Sequence, residues 1–446
     1  MVDDGSRDPR VDEILRDAAA ADERVRLVRR EEAGGISAAT NSALEIARGE
    51  YVALLDHDDT LLPDALETVS AAIERQPDLD WVYSDEEVVE DGVSIHAFRK
   101  PAWSPDLLRT QMYVCHLGVY RRSLALEVGG FRSDFDGSQD YDFALRFSER
   151  TDRVAHIPRI LYRWRAHSGS VAGNPHSKPG AYPAARRAIA EHLVRTGGKG
   201  DTHFGPWPGV YRVVHHLDSG LRVGVCVSAR RDEPELERLL ANLEDPGAAG
   251  LVAARVEVVT PGCWECAAAE GLDMVVFVDG VAIPVTHGWL ARLAGFAGQP
   301  GVGAAGAKLV SATGLVEHAG FAFAGGVPVP LMTGSAAGES GPLGMSILPS
   351  NVSAVGGVLA APAQLLHDLG GLDRHLGPLA LPDFCLRARE QGLRSVLVGD
   401  SVLRRPHGTV AENDLPHLAA FQARWAGIAN DPYFDLSRGW PGAEVG

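Results

Sequence analysis

The 446-residue chain is poor in cysteine, in basic charge and in long apolar runs, and each shortage removes a class of protein. Five cysteines, odd in number and scattered, cannot frame a disulfide-stapled secreted domain. Cys263 and Cys266 form a lone C-x-x-C with no second pair nearby to complete a four-ligand zinc site, and they read as small residues in a turn. Against 59 Asp and Glu there are only 42 Lys and Arg, a net charge of -17, so a polyanion is repelled on average and nucleic acid is not expected as a partner. No apolar run approaches the ~20 residues that span a bilayer, so no transmembrane segment is expected and any membrane contact is peripheral. The expected location is the cytoplasm, at most against the inner face of the plasma membrane.

What is present is an ordinary globular composition, 45% hydrophobic and 23% charged, in a chain long enough for two or three domains. Val25 to Val28 is a short β-like run before a Gly34–Gly35 turn, and helix formers follow as far as Gly49. Tyr51 to Leu55 is a continuous apolar run, as in a buried parallel strand. Pro63 then opens a helix with Leu66, Val69 and Ile73 at helical spacing, and Trp81 to Tyr83 is the next strand. Strand and helix alternating in this way predict an α/β fold with a mostly parallel sheet, its ligands beyond the carboxyl ends of the strands. Asp56 and Asp58 stand at such an end.

The chain also repeats itself. Asp142-Phe143-Ala144-Leu145-Arg146 returns as Asp383-Phe384-Cys385-Leu386-Arg387, 241 positions later, and Val52 to Asp56 returns as Val275 to Asp279, 223 positions later. A tandem duplication of one α/β domain is therefore expected. Comparing the copies separates scaffold from chemistry. Asp56 and Asp142 persist as Asp279 and Asp383, but Asp58 becomes Val281 and Asp140 becomes Leu381. The two lost carboxylates are those the fold can spare, as expected of groups kept for function in the first copy alone. Asp142 reads as the structural member of its pair, near a helix start.

Asp56-His57-Asp58-Asp59 crowds three carboxylates at a strand end, which is costly unless a cation sits among them. Oxygen ligands suit Mg²⁺ or Mn²⁺, completed by diphosphate oxygens. A solvated acidic turn is the other reading of this motif taken alone.

G-E-Y-V-A-L-L-D-H-D-D, Y-S-D-E-E, D-G-S-Q-D-Y-D-F-A-L-R and Y-R-W-R-A-H-S-G-S, in that order over residues 2 to 172, resemble the successive motifs of glycosyltransferase family 2, which has the GT-A fold. The resemblance implies inverting transfer of a sugar from a nucleotide-sugar donor to a hydroxyl of a glycan or lipid-linked glycan acceptor. It implies that Asp58 is the direct metal ligand, that Asp56 lies closer to the ribose, and that Asp140 is the catalytic base, with Gln139 where the family usually has Glu. Asp4 matches the residue that contacts the nucleotide base. His167 matches the histidine that ends the family core, a ligand for the metal or a phosphate; its survival as His407 leaves a packed structural histidine equally open. The tandem arrangement resembles enzymes that extend bacterial surface polysaccharides.

The expected organisation is a catalytic domain over 1–172, a linker over 173–220, a degenerate transferase-like domain over 221–412 and a C-terminal extension over 413–446. The second domain is expected to be non-catalytic, because Gly262 to Asp279 is 34 positions shorter than Gly5 to Asp56, and its Gly325 to Gly344 segment is expected to be a mobile loop. The first domain is expected to lack an opening strand and helix, whose counterparts in the second copy are Val223 to Val227 and Pro234 to Leu243, so Met1 is not expected to be the natural start. Two rival readings remain. L-L-D-H-D-D-T-L-L also fits the strand end of haloacid-dehalogenase-like phosphatases, though no later acidic pair and lysine complete it. A non-catalytic module binding nucleotide sugar or glycan is the other.

Overall fold

The structure is a computed structural model describing residues 1–166, 180–233, 235–244, 251–260, 271–406, 415–428, 431–434 and 436. His167, His407, Pro234, Gly262, Cys263 and Cys266 lie outside the described residues, and so do the expectations placed on them. The chain divides into two units. The first holds Met1–Trp103, Gln111–Gly197 and Thr202–Arg212; the second holds Ser104–Thr110, Gly198–Asp201 and Val213–Gly446.

The main sheet of the first unit runs in the order Tyr51–Ala53, Gly118–Arg121, Trp81–Glu90, Val154–Arg165, Thr60–Leu61, with Val93–Phe98 paired to Trp81–Glu90. Trp81–Glu90 and Val154–Arg165 are parallel, and the other pairs are antiparallel. The mostly parallel sheet read from the sequence is thus corrected to a mixed one. Tyr51–Ala53 is antiparallel to Gly118–Arg121, and Leu55 beyond it is 52% exposed. An unbroken apolar run reports a side chain's preference for burial and says nothing of strand direction. Behind the sheet, Val82, Leu117, Val119, Leu161 and Tyr162 form a core onto which the helix Ala65–Arg75 lays Ala65 and Val69. Leu66, one position round the helix, faces outward. Val2–Asp3 pairs with Val28–Arg29 in a separate two-stranded sheet, and the helix Pro9–Ala21, opened by Asp8 and Pro9, buries none of its residues.

The range 173–220, a linker by composition, contains the helix Ala181–Arg195, packed on the helix Gln139–Ser148, and the strand pair Gly200–Phe204 and Tyr211–His215. Nearly every third residue of Ala181–Arg195 is apolar on one face, with Ala184, Ala188 and Ile189 buried, which explains why a segment rich in Arg and His still folds.

In the second unit the sheet order is Leu251–Val259, Leu221–Ser228, Met274–Asp279, Val358–Pro362, Val302–Val310, Arg394–Arg404, Ile283–Pro284. Its first three strands are parallel. Met274–Asp279 is paired on both edges and buries Val276 and Val278 completely. Its counterpart Tyr51–Ala53 pairs along one edge among the described residues, and Ala53 is exposed. The Gly325 to Gly344 range holds the strand Val327–Pro330, paired to Phe321–Ala324. No helix among the described residues is long and apolar enough to cross a membrane.

Both copies share one buried network. Asp142 is fully buried, and Arg146 donates to it and to the carbonyls of Val128 and Gly130. Arg387 donates likewise to Asp383, Leu369 and Gly371, every partner shifted by the same interval. The second unit also takes in Ser104–Thr110. There Asp106, 1% exposed, meets Arg394 at 2.5 Å and Arg109 at 3.2 Å and accepts from Asn351 Nδ2 at 3.0 Å. Those guanidinium groups hold its carboxyl well below the usual carboxylate range despite the burial that opposes them.

Candidate active site

The acidic loop after Tyr51–Ala53 is fixed from beneath. Asp59, buried, accepts from the Tyr162 hydroxyl at 2.6 Å and from the Arg165 backbone N–H at 2.8 Å, and Arg165 Nε also donates to the Asp58 carbonyl. Burial nonetheless leaves the Asp59 carboxyl above the usual range. With Asp59 engaged, Asp56 and Asp58 are turned outward, and one oxygen from each of the three carboxylates lies within 4.8 Å of the others. Such oxygen donors match the needs of a hard divalent cation.

Asp140 comes from another element, the first turn of the helix Gln139–Ser148. That helix start is held by Ser138 Oγ donating to the Ala181 carbonyl at 2.8 Å and by Gln139 Oε1 accepting from the Gly137 N–H at 2.8 Å. In the same turn, buried Asp142 locks the helix through Arg132 and Arg146. Burial raises the Asp140 carboxyl above the usual range; the Tyr141 N–H and the His116 charge oppose the shift and Asp56 adds to it.

Asp56, Asp58 and Asp140 line one cleft of about 710 Å³, together with His116, Trp164 and Tyr211. No lysine or arginine is among its lining residues. Asp4 does not line it. Its carboxylate accepts from the N–H groups of Gly34 at 3.0 Å and Gly35 at 2.9 Å and pairs with Arg30 at 2.8 Å, and the Gly34 N–H is the largest influence holding it below the usual range. From the other side Asp136 accepts from the Ser37 N–H at 3.3 Å, capping the helix Ile36–Ile46. The turn between them requires glycine: Gly35 has φ +86°, and a Cβ there would collide with Asp136 Oδ2.

Sequence reasoning missed His116. Its Nδ1 lies 2.9 Å from Glu86 Oε2, its own backbone N–H donates to the same oxygen at 3.0 Å, and its ring stacks on Tyr162 with centroids 4.6 Å apart. Glu86 is buried and 3.8 Å from Lys100 Nζ, which donates to the carbonyls of Val114 and His116. The signal within reach was the acidic pair in Y-S-D-E-E, inside a strand whose other residues are buried: a carboxylate there must find a partner.

In the second copy the same positions are filled differently. Val281 and Leu381 are buried, and Arg405 donates to the Asp279 carbonyl at 2.9 Å while pairing with Glu317 at 3.3 Å. A guanidinium thus stands beside the strand end that carries carboxylates in the first copy.

Residues 1–129 match the sequence profile of Glycosyl transferase family 2. An uncharacterized protein y4gI of Sinorhizobium fredii is 37% identical over 442 residues, 89% of this chain and 48% of that protein. The O-antigen biosynthesis protein RfbC of Myxococcus xanthus is 32% identical over 481 aligned positions, 98% of this chain and 37% of that protein. The chain therefore spans half or less of the length of these relatives. Among solved structures, S. aureus TarS 1–349 in complex with UDP-GlcNAc is 21% identical with a TM-score of 0.36, over 43% of this chain and 56% of that one.

Proposed function

Residues 1–129 belonging to glycosyltransferase family 2, we propose that the first unit is an inverting glycosyltransferase moving a sugar from a nucleotide-sugar donor to an acceptor hydroxyl. The observation that carries this reading is the meeting, in one cleft, of an outward-turned Asp56–Asp58 pair and Asp140 from a separate helix. Asp58, with Asp56, would hold Mg²⁺ or Mn²⁺, which when bound supplies charge stabilisation to the departing diphosphate. In the step proposed, the acceptor oxygen attacks the anomeric carbon and its proton goes to Asp140. The bond from that carbon to the diphosphate oxygen breaks, and its electron pair leaves with the nucleoside diphosphate. One base suffices for inversion, and a carboxyl raised by burial is a better proton acceptor than an exposed one. Asp4, holding the Gly34–Gly35 turn, would set the wall against which the nucleotide base lies. We assign the second unit to positioning the acceptor, a glycan or lipid-linked glycan, because its Val281 and Leu381 are packed away. A role in cell-surface polysaccharide synthesis, at the cytoplasmic face, accords with the name of the Myxococcus relative.

The test is a mass-spectrometric screen of nucleotide sugars against the purified chain with Mn²⁺. Consumption of one donor with release of its nucleoside diphosphate and an inverted anomeric product is expected, abolished by EDTA. Donor binding without turnover on any acceptor overturns the enzymatic reading in favour of a binding module.

A further inference from the structure

Among the described lining residues, a nucleoside diphosphate entering the cleft meets carboxylates from Asp56, Asp58, Asp136 and Asp140 and no lysine or arginine. A divalent cation offsets part of that repulsion. A protein donor would offset more, and of the described lining residues His57 and His116 are those that can carry positive charge. The His57 side chain is 96% exposed, free to rotate in water, whereas His116 is 23% exposed and anchored. Its Nδ1 is committed to Glu86, whose position is fixed in turn by Lys100, and its ring is clamped against Tyr162. With a buried carboxylate bonded to one nitrogen the protonated ring is favoured, and in that form Nε2 is a second N–H donor. Burial pulls the His116 proton affinity down, but the Glu86 charge and hydrogen bond, with Asp56 beyond, bring it out above the usual histidine range.

We propose that His116 is a diphosphate-binding residue of this cleft, its Nε2–H donating to a phosphate oxygen of the donor and of the released nucleoside diphosphate, with Glu86 as its positioning residue. The inference rests on the nucleotide-sugar reading of the site. It gives the leaving group a fixed, charge-assisted hydrogen bond beside the cation that Asp58 and Asp56 would hold. No proton transfer is asked of His116; it stabilises negative charge already formed on the departing oxygen.

The experiment is calorimetric, on the full chain with Mn²⁺, using UDP and UMP, then GDP and GMP, as probes. His116→Asn is expected to weaken diphosphate affinity about ten-fold, the worth of one hydrogen bond to a charged group, with monophosphate affinity unchanged. Equal loss of both, or loss of neither, overturns the proposal, since a structural histidine would not distinguish one phosphate from two. Glu86→Gln, which keeps a hydrogen-bonding partner but removes the charge, is expected to give the same selective loss to a smaller extent. Should His116→Asn melt below the assay temperature, absence of selective loss in Glu86→Gln decides against the proposal. A wild-type chain that binds neither diphosphate overturns the transferase reading itself, a result distinct from either variant's.

Discussion

Asp58 and Asp140 share a cleft yet would act at opposite ends of the reaction, one on the departing diphosphate and the other on the arriving hydroxyl. Asp58→Ala is expected to abolish metal-dependent donor binding. Asp140→Asn is expected to keep that binding and to lower the transfer rate by about 10² to 10⁴. Calorimetry with donor and Mn²⁺ separates the two, and equal loss of affinity in both variants sinks the assignment. Asp140 also sets a pH dependence. Its folded carboxyl is raised above its unfolded one, so in the window between them the native state binds the extra proton, and stability falls as pH rises through that window. Activity runs the other way, because only the deprotonated group accepts the acceptor's proton. The acid limb of kcat/KM should therefore sit above the ordinary aspartate value, and at neutral pH Asp140→Asn should melt higher than the wild type. A lower melting temperature would mean that the ionised carboxylate is supported by partners the Asn cannot replace. Asp58 and Asp140 were marked as candidates in the sequence because the second copy lacks their carboxylates. His116 was not, since Glu86 lies 30 positions away and only the sheet brings the two together.

At the scale of elements, the helix Gln139–Ser148 delivers Asp140 because the same first turn is anchored by a carboxylate with no exposure, that of Asp142. Asp142→Ala would leave buried Arg146 with no anion and Arg132 with Glu191 alone, and a loss of about 3 to 5 kcal/mol is expected in urea unfolding. A loss below about 1 kcal/mol, the range of an exposed ion pair, would show that the carbonyls of Val128 and Gly130 suffice to hold Arg146. This pairing could be read from the sequence, since Asp and Arg four apart on a helix face one another and the pattern occurs twice. The direction of Tyr51–Ala53 could not, because the partner that makes it antiparallel, Gly118–Arg121, is distant in sequence and carries no mark of its orientation. The packing of the helix Ala181–Arg195 on the helix Gln139–Ser148 could not be read either, because the alanines that bury it are small and inconspicuous.

At the scale of the molecule, the second unit repeats the architecture without the carboxylates of Asp58 and Asp140, and the corresponding positions are not empty. Arg405 sits at the Asp279 strand end, and Val281 and Leu381 are in the core. Restoring Val281→Asp and Leu381→Asp is expected to yield no second activity. It should instead destabilise the chain by several kcal/mol, on the order of the cost of placing two carboxyls where nothing bonds them. To keep the first unit from hiding the answer, turnover should be measured in a chain also carrying Asp58→Ala and Asp140→Asn. Restored transfer there would refute the non-catalytic assignment. The duplication was visible in the sequence through its unbroken interval. Which stretch each unit claims was not, because Ser104–Thr110 carries no periodic or compositional sign of belonging with residues 213 onward.

That short stretch decides how the gene can be cut. A plasmid ending at Arg212 would deliver all the candidate active-site residues yet leave Asp106 without Arg394 and Asn351, a charge prepared for an interior that is no longer encoded. Such a product is expected in the insoluble fraction, and Asp106→Leu in the shortened chain is the variant expected to bring part of it back. In recombination terms the two copies are spliced rather than joined end to end. A crossover that imports a foreign first half must also import, or preserve, the residues that receive Ser104–Thr110.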